Sequence, residues 1–256
     1  MTGLAFAPAY KGEANLDIAL RGSLQSIRNG AIPLENTKHE ILAIADYFDG
    51  IFDFGSSANE AFFKAEASNF GVLHLAMHGE PDYENPDFAH FKFTNVVEDS
   101  LEDNLLHHYE IANMDLTAQL AVLSACETGT GKYREGEGVF SLARSFMYAG
   151  VPSVVMSLWK VNDESTSELM PYFYRNLADD MTKGAALHHA KKDFLKETDL
   201  EFRHPYYWAG FVLLGNNEPL KSGGFESIFW MTGLLFLGVL GVLFFRKQFV
   251  DKSRGI

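Results

Sequence analysis

Four short apolar runs, each followed by a polar or glycine-rich stretch, constrain this chain most. They are GVLHLAM (71–77), QLAVLSA (119–125), PSVVMSL (152–158) and YWAGFVLL (207–214). Apolar residues fall on both faces of the runs, the pattern of strands buried inside a parallel sheet. Leu4–Ala7 and Ile51–Phe54 read as two further strands. Helical periodicity marks Leu34–Phe48, with Leu34, Ile41, Leu42, Ala45 and Phe48 on one side and charges between. Asn59–Ser68 is a second helix, with Ser56 and Ser57 ahead of Glu60 in the manner of a capping box. Val139–Tyr148, closed by Gly150, Asp163–Leu177 and Lys183–Lys196 complete the set. Strands alternating with helices predict an α/β fold with a mainly parallel central sheet. Residues 11–31 read as a polar loop or insertion, and 79–118 as a long polar segment holding a few short strands or turns.

The 256 residues suffice for one α/β domain of about 200 residues and an appendage. The formal net charge is −13; an acidic body repels phosphate backbones, so no nucleic acid is expected as a partner. Cys126 is the single cysteine, which excludes an internal disulfide and a multi-cysteine zinc site. There is no HExxH, and neither a metal nor a cofactor is expected. Gly129-Thr-Gly-Lys132 has the look of a phosphate loop. The motif's first glycine falls on Cys126 and its closing Ser/Thr on Tyr133, so a nucleotide site is excluded.

Ile228–Phe245 contains no charged residue. At about 1.5 Å per residue it would span ~27 Å, near the hydrocarbon thickness of a bilayer. Trp230 near one end, and Arg246 with Lys247 at the other, suit the two interfaces. The expectation is a single-pass transmembrane helix in contact with membrane lipid. The basic tail favours a domain outside the cytoplasm, whereas the absence of a signal peptide favours one inside it, and the side stays open.

Two strand ends carry the chemistry. One run leads into His78-Gly79, the other into Cys126-Glu-Thr-Gly129. Ligands of open α/β sheets bind beyond the carboxyl ends of the strands. A thiol just past one such end and an imidazole at another can meet across the sheet edge, and the ring can take the thiol's proton. Cys126 is therefore the candidate nucleophile and His78 its base. Backbone N–H groups at Gly79 and Cys126 are candidates for an oxyanion hole. His74 lies inside its strand and reads as a core histidine; its even spacing from His78 puts both on one strand face.

The stretches HLAMHG (74–79), LSACETGTG (123–131), GEGVFSLARSFMYAG (136–150), SVVMSLWKVND (153–163) and HPYYWAGFVLLG (204–215) together resemble the CHAT domains, caspase-like domains often found beside TPR repeats. The resemblance covers most of residues 1–217, which are taken as that domain. Behind it follow a linker (218–227), the membrane helix (228–245) and a basic tail (246–256). It implies the caspase–separase fold, here a caspase-like three-layer sandwich with a C-terminal transmembrane helix. It also implies a His–Cys dyad on His78 and Cys126, acting on a protein or peptide substrate. Their separation is 48 residues, against about 50 in caspases. The caspase QACxG pattern is absent, so specificity for Asp does not carry over.

Asp163 falls where relatives carry pocket residues, and an acidic pocket would favour a basic residue at the cleaved bond. Aspartate is also a preferred helix N-cap, the favoured reading at this position. Glu137 is the second candidate for substrate binding, with a solvated loop charge as its alternative. A TPR-type region or partner is implied by the resemblance, although no repeat occurs in the chain. A catalytically silent scaffold or signalling module of the same fold is the alternative function.

Overall fold

Strands apolar on both faces need cover on both faces, and the computed structural model provides it in three layers. It describes residues 2–7, 40–42, 44–54, 57–93, 102–124, 132–134, 138–140 and 142–221. Along the chain the strands are β1 (Thr2–Ala7), β2 (Asp49–Phe54), β3 (Val72–Leu75), β4 (His78–Glu80), β5 (His90–Lys92), β6 (Leu105–His107), β7 (Leu120–Leu123), β8 (Lys132–Arg134), β9 (Gly138–Phe140), β10 (Ser153–Ser157) and β11 (Phe211–Gly215). The α-helices are α1 (Glu60–Glu66), α2 (His108–Ala112), α3 (Leu142–Tyr148), α4 (Asp163–Ala178) and α5 (Lys183–Glu197), and residues 40–42 and 44–45 are also helical.

Six strands form the central sheet in the order β11-β10-β7-β3-β1-β2. All neighbours are parallel except β10 and β11. β3 and β7 are buried at every residue, as the unbroken apolar runs foretold. On one face Leu4, Phe6, Leu73, Leu75 and Leu123 pack with Phe63 of α1, Ile111 of α2 and Phe146 of α3. On the other, Ala5, Phe52, Val72, Val122 and Val155 pack with Ile41 and Ile44, with Leu169 and Phe173 of α4, and with Phe194 of α5. Phe6 is fully buried, its ring 5.5 Å from Phe63 and 5.8 Å from Phe93. Truncating such a residue to alanine costs about 3–5 kcal/mol.

The polar segment between β3 and β7 carries its own antiparallel sheet, β4-β5-β6. Lys64 of α1 pins it to the body. Its ammonium lies 2.7 Å from Glu60, 2.6 Å from Glu102 and 2.7 Å from Glu110 of α2. Burial works against that charge, but the hydrogen bonds to Glu102, Glu110 and Glu60 prevail and raise the lysine's pKa beyond its ordinary range. Burial in turn raises the Glu60 carboxyl above the usual carboxylate value, opposed by Lys64.

Several expectations change. The helix expected from Val139 begins at Leu142, because Gly138–Phe140 pairs with Lys132–Arg134 as a hairpin. The helix at 59–68 is capped by Asn59, whose side chain accepts from Phe62 N at 2.9 Å. Ser57 instead donates to the Phe54 carbonyl. The last strand is antiparallel and turns at Gly215 (φ +95°), where a Cβ would meet the Pro152 carbonyl oxygen at 2.2 Å.

The transmembrane helix expected over 228–245 is corrected as well. Among the described residues no helix is long and apolar enough to cross a membrane, and 222–256 lie outside them. The longest described helix, α4, has 16 residues, about 24 Å at ~1.5 Å per residue, and carries charge at Asp163, Glu164, Glu168 and Arg175. The single-pass location and the lipid contact that went with that helix are withdrawn with it. Met1–Leu220 forms one compact unit.

Candidate active site

β3 and β7 are hydrogen-bonded neighbours, and their last residues, Leu75 and Leu123, are register partners. Paired strands lie about 4.8 Å apart. His78 follows Leu75 by three residues, and Cys126 follows Leu123 by three. β3 and β7 therefore end level at the carboxyl edge of the sheet, each three residues ahead of one member of the candidate pair. Cys126 and Glu137 themselves lie outside the described residues.

His78 opens β4 and is exposed, opposite Lys92 of β5. Gly79 is buried and lies opposite Phe91. His74 and His78 do not share one strand face, contrary to the spacing argument. β3 stops at Leu75, the chain passes through Ala76 and Met77, and His78 belongs to a different sheet. Parity along a strand holds only while the strand continues.

His74 is the core histidine expected, 1% exposed. Its Nδ1 is 2.7 Å from the Tyr174 hydroxyl and its Nε2 is 3.2 Å from Glu40 Oε1. Burial, with Glu40 adding to it, pushes the Tyr174 hydroxyl well above its ordinary pKa, so it stays protonated. The hydroxyl and Nδ1 share a buried hydrogen bond, and Nε2 lies within ion-pair distance of Glu40 without a hydrogen bond to it.

Asp163 is exposed in the first turn of α4, just beyond β10 at the same edge of the sheet. It is not the cap. Asn162 holds that place, its side chain accepting from Ser165 N at 2.9 Å. Aspartate and asparagine are near-equal caps, and the chain's geometry chose the one a residue earlier. The Asp163 carboxylate is thus left outside the cap, facing solvent beside the strand ends.

A wall stands next to it that the sequence reading missed. Trp159 donates from Nε1 to the Tyr206 carbonyl at 2.9 Å, and Ser165 donates to the Tyr207 carbonyl at 3.1 Å. Gly210 lies so close under Trp159 that a Cβ would meet the ring at 3.0 Å. Trp208 is half-buried and donates to the Arg203 carbonyl. The position of Trp159, directly after a strand end, was the available signal. Among the described residues, Glu60, Glu102 and Glu110 are the acidic group with ligand atoms close enough to share a metal ion. The Lys64 ammonium already sits among them.

The strand-end geometry lies within residues 13–216, which match the CHAT domain family. The chain belongs to this family. Over 122 residues the CHAT chain is 32% identical to tetratricopeptide repeat protein 28 of Homo sapiens and 30% identical to that of Mus musculus. The match takes in 48% of this chain but 5% of either relative's length. Among solved structures, the CHAT domain resembles the complex of Porphyromonas gingivalis RgpB pro- and mature domains. The TM-score is 0.53 at 13% identity, over 86% of this chain and 48% of that one. It likewise resembles the Arg-specific cysteine proteinase gingipain R (RgpB), with a TM-score of 0.53 at 12% identity over 86% and 47% of the two chains. At such identity the likeness is one of fold: a mixed, mainly parallel α/β architecture of the caspase-like kind.

Proposed function

We propose that this CHAT domain is a cysteine endopeptidase that hydrolyses peptide bonds with a His78–Cys126 dyad. The observation that carries the reading is the register of β3 and β7. Two adjoining parallel strands end level, and each is followed after three residues by one member of the dyad. The reading takes residues 1–217 as the catalytic domain and 218–227 as a linker, with a tetratricopeptide-repeat region or partner as regulator.

In this mechanism His78 takes the proton of Cys126, and the thiolate attacks the scissile carbonyl. The oxyanion of the tetrahedral intermediate accepts from the backbone N–H groups of Gly79 and Cys126. The intermediate collapses as the C–N bond breaks, His78 gives its proton to the leaving amine, and an acyl-thioester remains. Water, deprotonated by His78, then hydrolyses the thioester and restores the thiol. Asp163 and Glu137 contribute negative charge where the substrate side chain enters, favouring a basic residue there.

The second reading is a silent module with the same fold. It is favoured by the matched relatives, which are named for tetratricopeptide repeats rather than for an enzyme. One experiment separates the two. In a survey of new protein termini, the wild-type chain produces cleavages that Cys126→Ala and His78→Ala each reduce by about a thousandfold or more. Cleavage that survives both substitutions, or no cleavage by the wild type, defeats the peptidase.

A further inference from the structure

The small sheet turns one side inward and the other outward. Gly79, Phe91 and Leu106, register partners across its strands, are buried. The alternate positions form the outer side, where Glu80 lies opposite His90 and His90 opposite His107. His78 stands on this same side, two residues before Glu80 on β4, about 6.6 Å along the strand. The outer side is therefore continuous with the candidate active site.

Two features mark this surface. The first is a set of exposed carboxylates. The Phe88 carbonyl, which can only accept, lies 3.0 Å from His90 Nδ1 and 3.2 Å from His107 Nδ1. Both rings therefore carry a proton on Nδ1. Each Nε2 stands near a carboxylate: His90 Nε2 is 3.6 Å from Glu80 Oε2, and His107 Nε2 is 3.7 Å from Asp103 Oδ2. The Glu80, Asp87 and Asp103 side chains are 58%, 57% and 64% exposed. The run 80–90 holds four acidic residues and no lysine or arginine; Lys92 stands on the same side, opposite His78.

The second feature is an exposed aromatic platform among these carboxylates. Phe88 is 55% and Tyr109 44% exposed. His107 stacks on Tyr109 at 5.3 Å and 12°, and Phe88 stands edge-on to both rings at 6.1 and 6.3 Å. Ring faces bordered by carboxylates suit a guanidinium, which is planar, stacks on aromatic surfaces and pairs with two oxygens at once. An ammonium gains the charge but not the stacking.

We infer that the outer side of β4-β5-β6 is an exosite that captures an arginine-bearing segment of a polypeptide substrate, away from the bond to be cleaved. That the captured chain is a substrate rests on the peptidase reading; the capture itself needs no chemistry.

The test uses the full chain with Cys126→Ala, so that nothing is turned over, and a short labelled peptide with arginines spaced by glycine and serine. Fluorescence anisotropy is expected to show binding that falls several-fold when lysine replaces arginine and is lost when citrulline does. Glu80→Gln/Asp87→Asn/Asp103→Asn weakens it by about tenfold or more. Phe88→Ala/Tyr109→Ala also weakens it, although the net charge is unchanged. Neutralising three distant exposed acids, Asp46→Asn/Asp179→Asn/Glu201→Gln, changes it by less than about twofold. Hydrogen exchange on the chain without those substitutions gives a variant-free check: the peptide protects 78–92 and 103–109.

Equal losses from the local and distant acid sets overturn the exosite, as does lysine matching arginine while the aromatic pair has no effect. Protection confined to other segments overturns it too. Localised binding without cleavage by the wild-type chain supports the capture and sinks only the peptidase. Cleavage without localised binding does the reverse.

Discussion

His74 and His78 are four residues apart and belong to opposite worlds. The first sits in the central sheet, sealed between Glu40 and Tyr174. The second opens a small sheet that is buried on one side only, and it faces solvent. A buried imidazole hydrogen-bonded to a buried hydroxyl and packed in the core serves the fold. An exposed ring at a strand end is able to change protonation during a reaction. Burial and bonding, rather than residue type, assign their roles.

The comparison breaks most visibly through His74→Ala. It strips Tyr174 and Glu40 of their shared partner and leaves a void in the core. Urea unfolding is expected to report a loss of about 2–4 kcal/mol. Cleavage per folded molecule should persist. The exposed His78→Ala should instead unfold within about 0.5 kcal/mol of the wild type. A reversal of the two stability effects would undo the assignment.

Next in size is Lys64→Met, which tests how the small sheet is held to the body. Three carboxylates then face one another without a cation. The lysine is partly exposed, so the expected loss at pH 7 is about 1–3 kcal/mol, below that for a fully buried pair. The sign with pH follows from linkage. The folded-state pKa of Lys64 is raised, so its contribution is whole below the unfolded value and is lost only as pH rises through the folded one. Across pH 5–9 the wild type is therefore steady on this account. The variant recovers as acid protonates its carboxylates, Glu60 first, since burial raises it. Thermal melts that show a constant gap down to pH 4 would contradict this.

The smallest effect belongs to the outer surface of the helical layer. Asp193 is held below its ordinary pKa by the hydrogen bond from Lys196, with Arg175 adding to it against burial. A lowered carboxylate pKa gives stability that is present above the unfolded value and lost as pH falls through the folded one. Asp193→Asn should therefore cost about 0.5 kcal/mol at pH 7 and nothing near pH 2 by denaturant melts, as an exposed pair does.

What the sequence made legible was what the hydrophobic effect writes in long strokes. The runs 71–77, 119–125 and 152–158 became strands, and α4 and α5 fell within one residue of their expected ends. Short strands were expected within 79–118, but their bounds and pairing were hidden because they are three residues long and carry His78, Glu80, His90 and Lys92 on the outer side. Three residues are too few to establish a period. The hairpin before α3 was hidden by glycines that read as a loop. The caps moved by a residue or two, from Ser56–Ser57 to Asn59 and from Asp163 to Asn162, because several good caps stand side by side there. In the candidate site, the two strand ends followed by His78 and Cys126 were readable from two short motifs, whereas the pairing and register of those strands were not. Trp159 over Gly210 was not, since that contact joins segments 51 residues apart.

The central claim is that the thiol at 126 and the imidazole at 78 are partners, and the single cysteine makes it directly measurable. Alkylation of Cys126 is followed against pH by mass spectrometry in the wild type, His78→Ala and His74→Ala. The account predicts a thiolate that persists well below the free-cysteine value near ~8.5 in the wild type and His74→Ala, and a return to about that value in His78→Ala. A wild-type profile that already matches free cysteine, or one that His78→Ala leaves unmoved, would contradict it.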